Sequence, residues 1–198
     1  TFDYPYVHGK AFMKAGYAFF SCSNETFTSD TTFMKAAWMT DLICGKQVTT
    51  KAGNSKEGRY TIFNTEMQNA LRAYTSEGGN LLTSGAYIAT DIWDRVYPVQ
   101  IDSTFKAKSI AFAREVLGYK WVRNHGSKDG EARFVKSSRF DSRNGKAFGF
   151  HNQVNERCYS VETPDGLSPV SAKTGSTFLR YCDTDISAGV CYVGKGYQ

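Results

Sequence analysis

The sequence of 198 residues lacks several features that would assign a protein to a class directly. No run approaches the roughly 18 apolar residues of a membrane-spanning helix, so no transmembrane segment is predicted. A phosphate-binding loop, a G-x-G-x-x-G fingerprint and an H-E-x-x-H motif are all absent, and we expect no bound cofactor. The chain also opens without an initiator Met or an apolar signal segment, so we expect a mature or excised piece.

Cysteine and histidine are sparse and show no metal-ligand spacing, so we expect no metal site. The five cysteines form no C-x-x-C pair; they are Cys22, Cys44, Cys158, Cys182 and Cys191. The three histidines lie far apart, at His8, His125 and His151. Cys182 and Cys191 could face each other across a hairpin, but their spacing leaves a disulfide open. The odd count leaves at least one free thiol.

Net charge is +5, but the basic residues are scattered singly. The densest group is interrupted by Glu131 and Asp141, and consists of Arg133, Lys136, Arg139, Arg143 and Lys146. A nucleic-acid site would need a denser stripe or a recognisable module. We interpret this group as a solvated strand-and-turn face and expect no nucleic-acid partner.

The segment EGGNLLTSGAYIATD (77–91) is the centre of the predicted fold. Before it, residues 65–77 predict an amphipathic helix, and Thr65 with Gln68 has capping-box spacing. The apolar face of this helix comprises Met67, Ala70, Leu71 and Tyr74. Gly78 suits the end of a helix, and residues 80–84 then predict a short buried strand. The small residues that follow permit a sharp turn, which completes a helix-to-strand unit of an α/β sheet.

Alternation of helices and strands predicts a three-layer α/β fold with a mainly parallel sheet. The predicted parallel strands are residues 17–22, 38–44, 80–84 and 119–123. We expect a single domain, 1–198, in which 1–125 is the alternating core and 126–198 is a β-rich antiparallel extension. In such sheets ligands bind at the carboxyl ends of the strands.

Further elements are predicted from turn and cap signals. Ser103 or Thr104 can cap a helix that runs to Leu117 and stops at Gly118. Asn144 and Gly145 predict a hairpin turn within the extension. Residues 177–181 and 188–193 predict an antiparallel pair around the loop 183–187.

Ser84 is one candidate nucleophile, at the end of the central strand. A nucleophile elbow needs G-x-S-x-G, but Leu82 and Ala86 occupy the glycine positions. The bland interpretation is a small residue packed under a turn. A nucleophile also needs a base that a third group orients. His151 is available as the base, with Glu156 or Glu162 to orient it.

A second candidate site is the aromatic and acidic set that follows the central strand. It comprises Tyr87, Asp91, Trp93, Asp94, Arg95 and Tyr97. Aromatic rings beside charged groups are typical of a saccharide site, and Trp93 is the expected stacking residue. Alternatively, Trp93 and Tyr97 form a hydrophobic cover over the sheet. We expect any ligand at the strand ends, against Ser84, Tyr87, Asp91 and Trp93, near loops 23–25 and 45–47.

Four segments resemble Bacteroidetes proteins that are labelled xanthan lyases. They are residues 77–91, DLICGKQ (41–47), YSVETPDGLSP (159–169), and LRY (179–181) with SAGV (187–190). The resemblance covers roughly residues 10 to 198. It implies a class I glutamine amidotransferase-like, flavodoxin-like domain in a secreted or cell-envelope protein with other modules. The chain departs from the pattern expected of these relatives, since it ends at Gln198 where a further strand is expected in them and starts without their usual leading strand.

Cys44 is the other candidate nucleophile, because 43–47 is similar to the G-x-C-x-G-x-Q elbow of glutamine amidotransferases. The sequence departs from that motif, since Leu42 replaces the first glycine and Gln47 comes one residue early. The elbow cysteine also has no counterpart at residues 84–86. The alternative for Cys44 is a buried, inert thiol.

These observations favour a non-catalytic binding or scaffolding module of a secreted, carbohydrate-associated protein. Its expected partners are a polysaccharide or glycan and other modules of the same polypeptide. One alternative is a hydrolase or amidotransferase-like enzyme that uses Cys44 or Ser84. The other is a polysaccharide lyase, which needs a Tyr or His base and a group that neutralises a uronate carboxylate.

Overall fold

A computed structural model of the chain describes residues 4–30, 37–54, 58–94, 102–136, 141–150 and 160–197. The helices are α1 (Tyr4–Lys14), α2 (Asn24–Ser29), α3 (Thr65–Ser76), α4 (Thr90–Trp93) and α5 (Ser103–Phe112). The first strands are β1 (Met39–Gly45), β2 (Thr50–Lys51), β3 (Gly58–Arg59), β4 (Asn80–Gly85) and β5 (Tyr119–Arg123). The remaining strands are β6 (Glu131–Phe134), β7 (Ala147–Gly149), β8 (Gly166–Pro169), β9 (Gly175–Tyr181) and β10 (Ser187–Tyr192).

The fold is mixed α/β, with a small parallel sheet and a larger antiparallel sheet. β1 and β4 form the parallel pair, in which Asp41 lies opposite Leu82 and Ile43 lies opposite Ser84. Helix α3 lies between these strands in the chain, as parallel pairing requires of a crossover connection. Two of the four predicted parallel strands are therefore confirmed.

Helix α3 follows the predicted pattern closely. Its predicted apolar residues, Met67, Ala70, Leu71 and Tyr74, are all buried. The helix begins at Thr65 as predicted, but its cap is Asn64, one residue earlier, whose side chain accepts a hydrogen bond from the Met67 backbone N–H at 2.8 Å. Gly78 follows the helix with φ +91°, the left-handed conformation that its position predicted.

The prediction of the other two parallel strands is wrong. Residues 17–22 form no strand, and Tyr17, Phe19 and Phe20 are exposed. Their β-forming side chains do not suffice, because a strand needs a neighbouring backbone to pair with, and no described strand pairs with this segment. Residues 119–123 do form β5, but β5 pairs antiparallel with β8.

The larger sheet has six strands in the order β5-β8-β10-β9-β6-β7, and its ladders are antiparallel. The predicted pair around loop 183–187 is confirmed as β9 and β10. The β-rich part was expected from residue 126, but the sheet already begins at Tyr119. Cys182 and Cys191 are both free thiols, so the hairpin carries no disulfide.

One buried cluster joins the two sheets and the helices between them. Leu42 from β1, Leu71 from α3, and Tyr119 and Leu167 from the antiparallel sheet all belong to it. Burial of such apolar surface is the main favourable term in folding. In the described part of the chain, no helix is long and apolar enough to cross a membrane.

The predicted helix from residue 103 to Leu117 has two parts. Its cap is Asp102, whose side chain accepts a hydrogen bond from the Thr104 backbone N–H at 3.0 Å, rather than Ser103 or Thr104. The α-helix ends at Phe112, and a π-helical turn (Ala113–Leu117) continues it. Gly118 ends this turn with φ +72°, as its position predicted.

Two glycines with similar backbone conformations allow a matched test of packing at this turn. A Cβ at Gly118 (φ +72°) would lie 2.0 Å from Tyr192 Cγ, whereas one at Gly145 (φ +79°) would meet no atom within 4 Å. We expect Gly145→Ala to lower the free energy of unfolding by about 1–2 kcal/mol, through backbone strain alone. Gly118→Ala should cost about 1–3 kcal/mol more, because the ring must move. Urea denaturation measures both; equal losses would contradict the close contact with Tyr192.

Candidate functional site

A cleft of about 260 Å³ opens where β1 and β4 end. Its first wall comes from α1 and the parallel strands, and comprises Tyr4, His8, Ile43, Gly45, Ser84, Gly85 and Ala86. The facing wall comes from the antiparallel sheet and its loops, and comprises Ala132, Phe148, Phe150, Val161, Pro164, Leu179, Tyr181 and Ala188. The cleft therefore lies between the two sheets, at the edge where α/β proteins bind ligands.

The floor of the cleft depends on close contact between the two strand ends. The Ala86 backbone N–H donates a hydrogen bond to the Gly45 carbonyl at 2.8 Å, which joins the chain after β4 to the end of β1. A Cβ at Gly85 would lie 2.7 Å from Cys44 Cβ, so only glycine fits there without a shift. The small-residue turn predicted at residues 85 and 86 thus has a packing reason.

His8 and Asp41 form a hydrogen-bonded pair at the first wall. His8 Nδ1 lies 2.6 Å from Asp41 Oδ2, and the Asp41 side chain is 9% exposed. This hydrogen bond raises the pKa of His8, which favours the imidazolium. The other Asp41 oxygen, Oδ1, is buried and has no hydrogen-bond partner among the described residues. Among the described side chains, His8 therefore provides the hydrogen bond that the Asp41 carboxylate accepts.

Sequence reasoning missed this pair. His8 lies in a helix and Asp41 in a strand 33 residues later, so no local spacing connects them. Only the packing of α1 against β1 brings the two side chains together. A histidine in an amphipathic helix near an acidic strand residue is too common a pattern to identify a site.

Ser84 is the one predicted ligand residue that lines the cleft. Its predicted base, His151, and Glu156 lie outside the described residues. Glu162, the other predicted orienting residue, instead accepts a hydrogen bond from Lys46 Nζ at 2.6 Å. That bond and one from the Ser160 hydroxyl lower the pKa of Glu162 to about 2.

Cys44 lies on the opposite side of β1 from Asp41 and Ile43, facing the core. Its thiol is buried, and its nearest hydrogen-bond acceptor is the Leu42 carbonyl at 3.9 Å. Burial, and then the negative charges of Asp41 and Asp91, raise the pKa of Cys44 to about 12. A reactive cysteine needs the reverse environment, with a lowered pKa and access to solvent. The geometry therefore favours the inert-thiol interpretation.

Tyr87, Asp91 and Trp93 are not among the residues that line the cleft. Asp91 is 1% exposed, and its carboxylate accepts hydrogen bonds from the backbone N–H groups of Thr49 at 2.7 Å and Ile62 at 3.2 Å. The Trp93 ring packs against Tyr119 at 5.9 Å between centroids. These contacts favour structural roles, as in the alternative of a hydrophobic cover. Arg95 and Tyr97 lie outside the described residues.

A larger groove of about 580 Å³ also borders α1 and β1, and Asp41 lines this groove rather than the cleft. It shares His8 and Ile43 with the cleft, and Ser23 and Asn24 line it. The predicted neighbouring loop 23–25 therefore lies at this groove, and none of its residues lines the cleft. Ser23 also caps α2, because its side chain accepts a hydrogen bond from the Thr26 backbone N–H at 3.3 Å.

Asp165 is a buried carboxyl beside the cleft that sequence reasoning also missed. Asp165 Oδ2 accepts hydrogen bonds from the backbone N–H groups of Ala89 at 2.7 Å and Thr90 at 2.9 Å, and the Thr90 hydroxyl donates to Oδ1. Trp121 Nε1 donates to the Thr90 hydroxyl at 3.1 Å, and the Tyr181 hydroxyl donates to the Asp165 carbonyl at 2.8 Å. Burial outweighs these hydrogen bonds and raises the pKa of Asp165 to about 6.

Comparisons with known proteins give no match: no family model, no curated protein and no solved structure matches the chain. Over the residues that the structure describes, no group of three or more His, Cys, Asp or Glu side chains could hold a metal ion.

Alkylation of native protein tests the environment of Cys44. We expect iodoacetamide near neutral pH to modify the exposed thiols of Cys22 and Cys182 and to leave Cys44 unmodified. A pKa about three units above the ordinary 9.0 lowers the thiolate fraction about 1000-fold, and burial blocks access as well. Peptide mass spectrometry measures each site separately. Modification of Cys44 as fast as that of Cys22 would restore it as a nucleophile.

The pH dependence of stability tests the buried carboxyl of Asp165. Its pKa rises from the ordinary 3.8 to about 6 on folding, so the folded state holds the proton more tightly. The wild type should therefore lose about 3 kcal/mol of stability between about pH 3 and pH 7, relative to Asp165→Asn. Urea unfolding of both proteins across this range isolates Asp165 from the other carboxyls. A flat difference, or one of opposite sign, would show that the hydrogen bonds outweigh burial.

Proposed function

We propose that this chain is a binding module whose ligand occupies the cleft at the ends of β1 and β4. The observation that carries the proposal is the composition of the cleft: aromatic and aliphatic walls, with His8 and Ser84 as convergent polar groups. Binding sites for small molecules combine a mostly apolar concave surface with a few placed polar groups. The cleft also occupies the edge that sequence analysis expected.

The ligand class that fits these walls is a saccharide. Phe148 and Phe150 line one side, and the 43% exposed ring of Phe148 can stack against the apolar face of a sugar. His8 and Ser84 lie on the other wall, where they can hydrogen-bond sugar hydroxyls. This arrangement supports the glycan partner that the sequence predicted, with different aromatic residues in the stacking role.

The resemblance noted above supports the wider setting of this proposal. We infer a flavodoxin-like, class I glutamine amidotransferase-like ancestry from the parallel β1–β4 pair and its crossover helix α3. On the same basis we place the chain in a secreted or cell-envelope polypeptide, beside other modules. The mainly antiparallel second sheet is a departure from that fold.

The two enzymatic alternatives from the sequence fit less well. A lyase needs a group that neutralises a uronate carboxylate, and the described lining of the cleft contains no Arg, Lys or Asn. An amidotransferase needs a reactive thiol, whereas Cys44 is buried and its pKa is raised. Ser84 fits a catalytic role better than Cys44, because His8 lines the same cleft.

Phe148→Ala tests the binding proposal. Phe148 is 43% exposed and lines the cleft, so its loss should remove stacking without unfolding the sheet. We expect affinity for the preferred ligand of a glycan array to fall about tenfold or more, with little change in melting temperature. Isothermal titration calorimetry measures the affinity.

Tyr6→Ala is the matched control, because Tyr6 is an exposed aromatic on α1 that does not line the cleft. It should bind as the parent does. The proposal fails if the parent binds no acidic or neutral glycan, or if Phe148→Ala and Tyr6→Ala bind equally well.

A further inference from the structure

We propose that Ser84, His8 and Asp41 form a hydrolytic site that cleaves short acyl esters in this cleft. Ser84 is the nucleophile, His8 is the general base, and Asp41 orients and charge-balances His8. The inference rests on the cleft of the proposed function, but a simple aryl ester can report on it without any glycan.

The register of the parallel pair places two of these residues on one face. Ile43 lies directly opposite Ser84, and Asp41 is two residues before Ile43 on the same strand. Side chains alternate between the faces of a sheet, so Asp41, Ile43 and Ser84 project from the same face. Leu42 and Cys44 project from the other face and are buried in the core.

Helix α1 brings the third residue to this face. Asp41 Oδ2 engages Nδ1 of His8, which leaves Nε2 as the nitrogen that can accept a proton. A carboxylate on Nδ1 holds the imidazole in this tautomer and stabilises the imidazolium that forms when a serine is deprotonated. His8 and Ser84 line the same cleft, with Ile43 also in its wall.

The burial of Asp41 and the hydrogen bonding of Ser84 agree with their proposed roles. Asp41 is almost fully buried and its second oxygen has no partner among the described residues, so its charge acts on His8. The Ser84 hydroxyl makes no hydrogen bond to a described residue, so no such bond must break for it to turn toward His8. Catalytic hydrogen bonds are often long before substrate binds, and a serine χ1 rotation between staggered positions is easy.

The proposed reaction requires only these side chains, the ester and water. Ser84 Oγ attacks the ester carbonyl while His8 Nε2 takes the hydroxyl proton, and His8 then protonates the departing alcohol. The acyl group remains on Ser84 as an ester. Water attacks it with His8 again as base, which releases the carboxylic acid and regenerates the serine.

The cleft has room for a small acyl group. A volume of about 260 Å³ accommodates an acetyl group and part of the alcohol that carries it. Together with the aromatic wall, this favours an acetyl ester on a sugar hydroxyl, if the proposed ligand class is correct. We therefore assign the site to O-acetyl esters.

The first experiment combines p-nitrophenyl acetate hydrolysis with fluorophosphonate labelling of the wild-type protein. We expect labelling at Ser84 by peptide mass spectrometry and its loss in Ser84→Ala, together with hydrolysis. Thr83→Val is the matched control, because Thr83 is the adjacent hydroxyl on the opposite face of β4. It should keep both activities. Because labelling of the wild type needs no variant, a folding defect cannot obscure the result.

The second experiment separates catalysis from structure. His8→Ala should lower kcat/KM about 100-fold or more, as expected for loss of a general base. Added imidazole should restore part of kcat, which it could not do for a residue with only a packing role. Asp41→Asn should lower kcat with little effect on KM, and Asp41→Glu should recover part of it.

The inference is overturned if the wild type is neither labelled at Ser84 nor faster than the Ser84→Ala variant. It is also overturned if imidazole restores nothing to a folded His8→Ala protein. Glycan binding without ester hydrolysis would leave the binding proposal standing alone. Ester hydrolysis without glycan binding would leave the hydrolytic site standing and remove the saccharide.

Discussion

The attachment of the turn after β4 to the antiparallel sheet is the constraint on which the cleft depends. Asp165 makes this attachment by accepting hydrogen bonds from Ala89 and Thr90, where the chain leaves the parallel pair. The Asp165 backbone N–H also donates to the Ala86 carbonyl at 2.9 Å. Because the carboxyl is buried, these contacts cannot be exchanged for water without cost. The two walls of the cleft are thereby held in one relation to each other.

In both proposals the two walls of the cleft have different roles. The parallel pair and α1 contribute His8 and Ser84, the groups that can exchange protons or hydrogen bonds. The antiparallel sheet contributes aromatic surface such as Phe148, which in the binding proposal would contact the apolar part of the ligand. A ligand would contact both walls at once, so neither sheet forms the site alone.

The sequence predicted those elements whose stabilising contacts are local or periodic. The face of α3, the stop at Gly78 and the β9–β10 hairpin depend on neighbours within a few residues, and all three were predicted. The partner of β5 could not be predicted, because the composition of a strand does not determine the direction in which its neighbour runs. Residues 17–22 show the same limit, since strong β-formers remain outside both sheets when no described strand pairs with them.

A cleft lies at the strand edge that the sequence indicated, but most of its lining residues were not predicted. The carboxyl ends of parallel strands identify an edge, and Ser84 lies there. Tyr87, Asp91 and Trp93 were chosen for chemical character, yet burial decides whether such groups meet a ligand or stabilise the fold. The hydrogen bonds of Asp91 to Thr49 and Ile62 could be seen only in three dimensions.

The strand order of the larger sheet has a consequence for how the site comes into being. β5 pairs with β8, so the ladder at Tyr119 cannot form until the chain near Pro169 is available. In the same way, β6 cannot pair until β9 is available. Contacts between distant parts of a chain form slowly, since the intervening loop must close first. The cleft joins His8 to Ala188 and so spans most of the chain. During synthesis on a ribosome, the cleft would be among the last features of this chain to form, because its lining residues run from Tyr4 to Ala188.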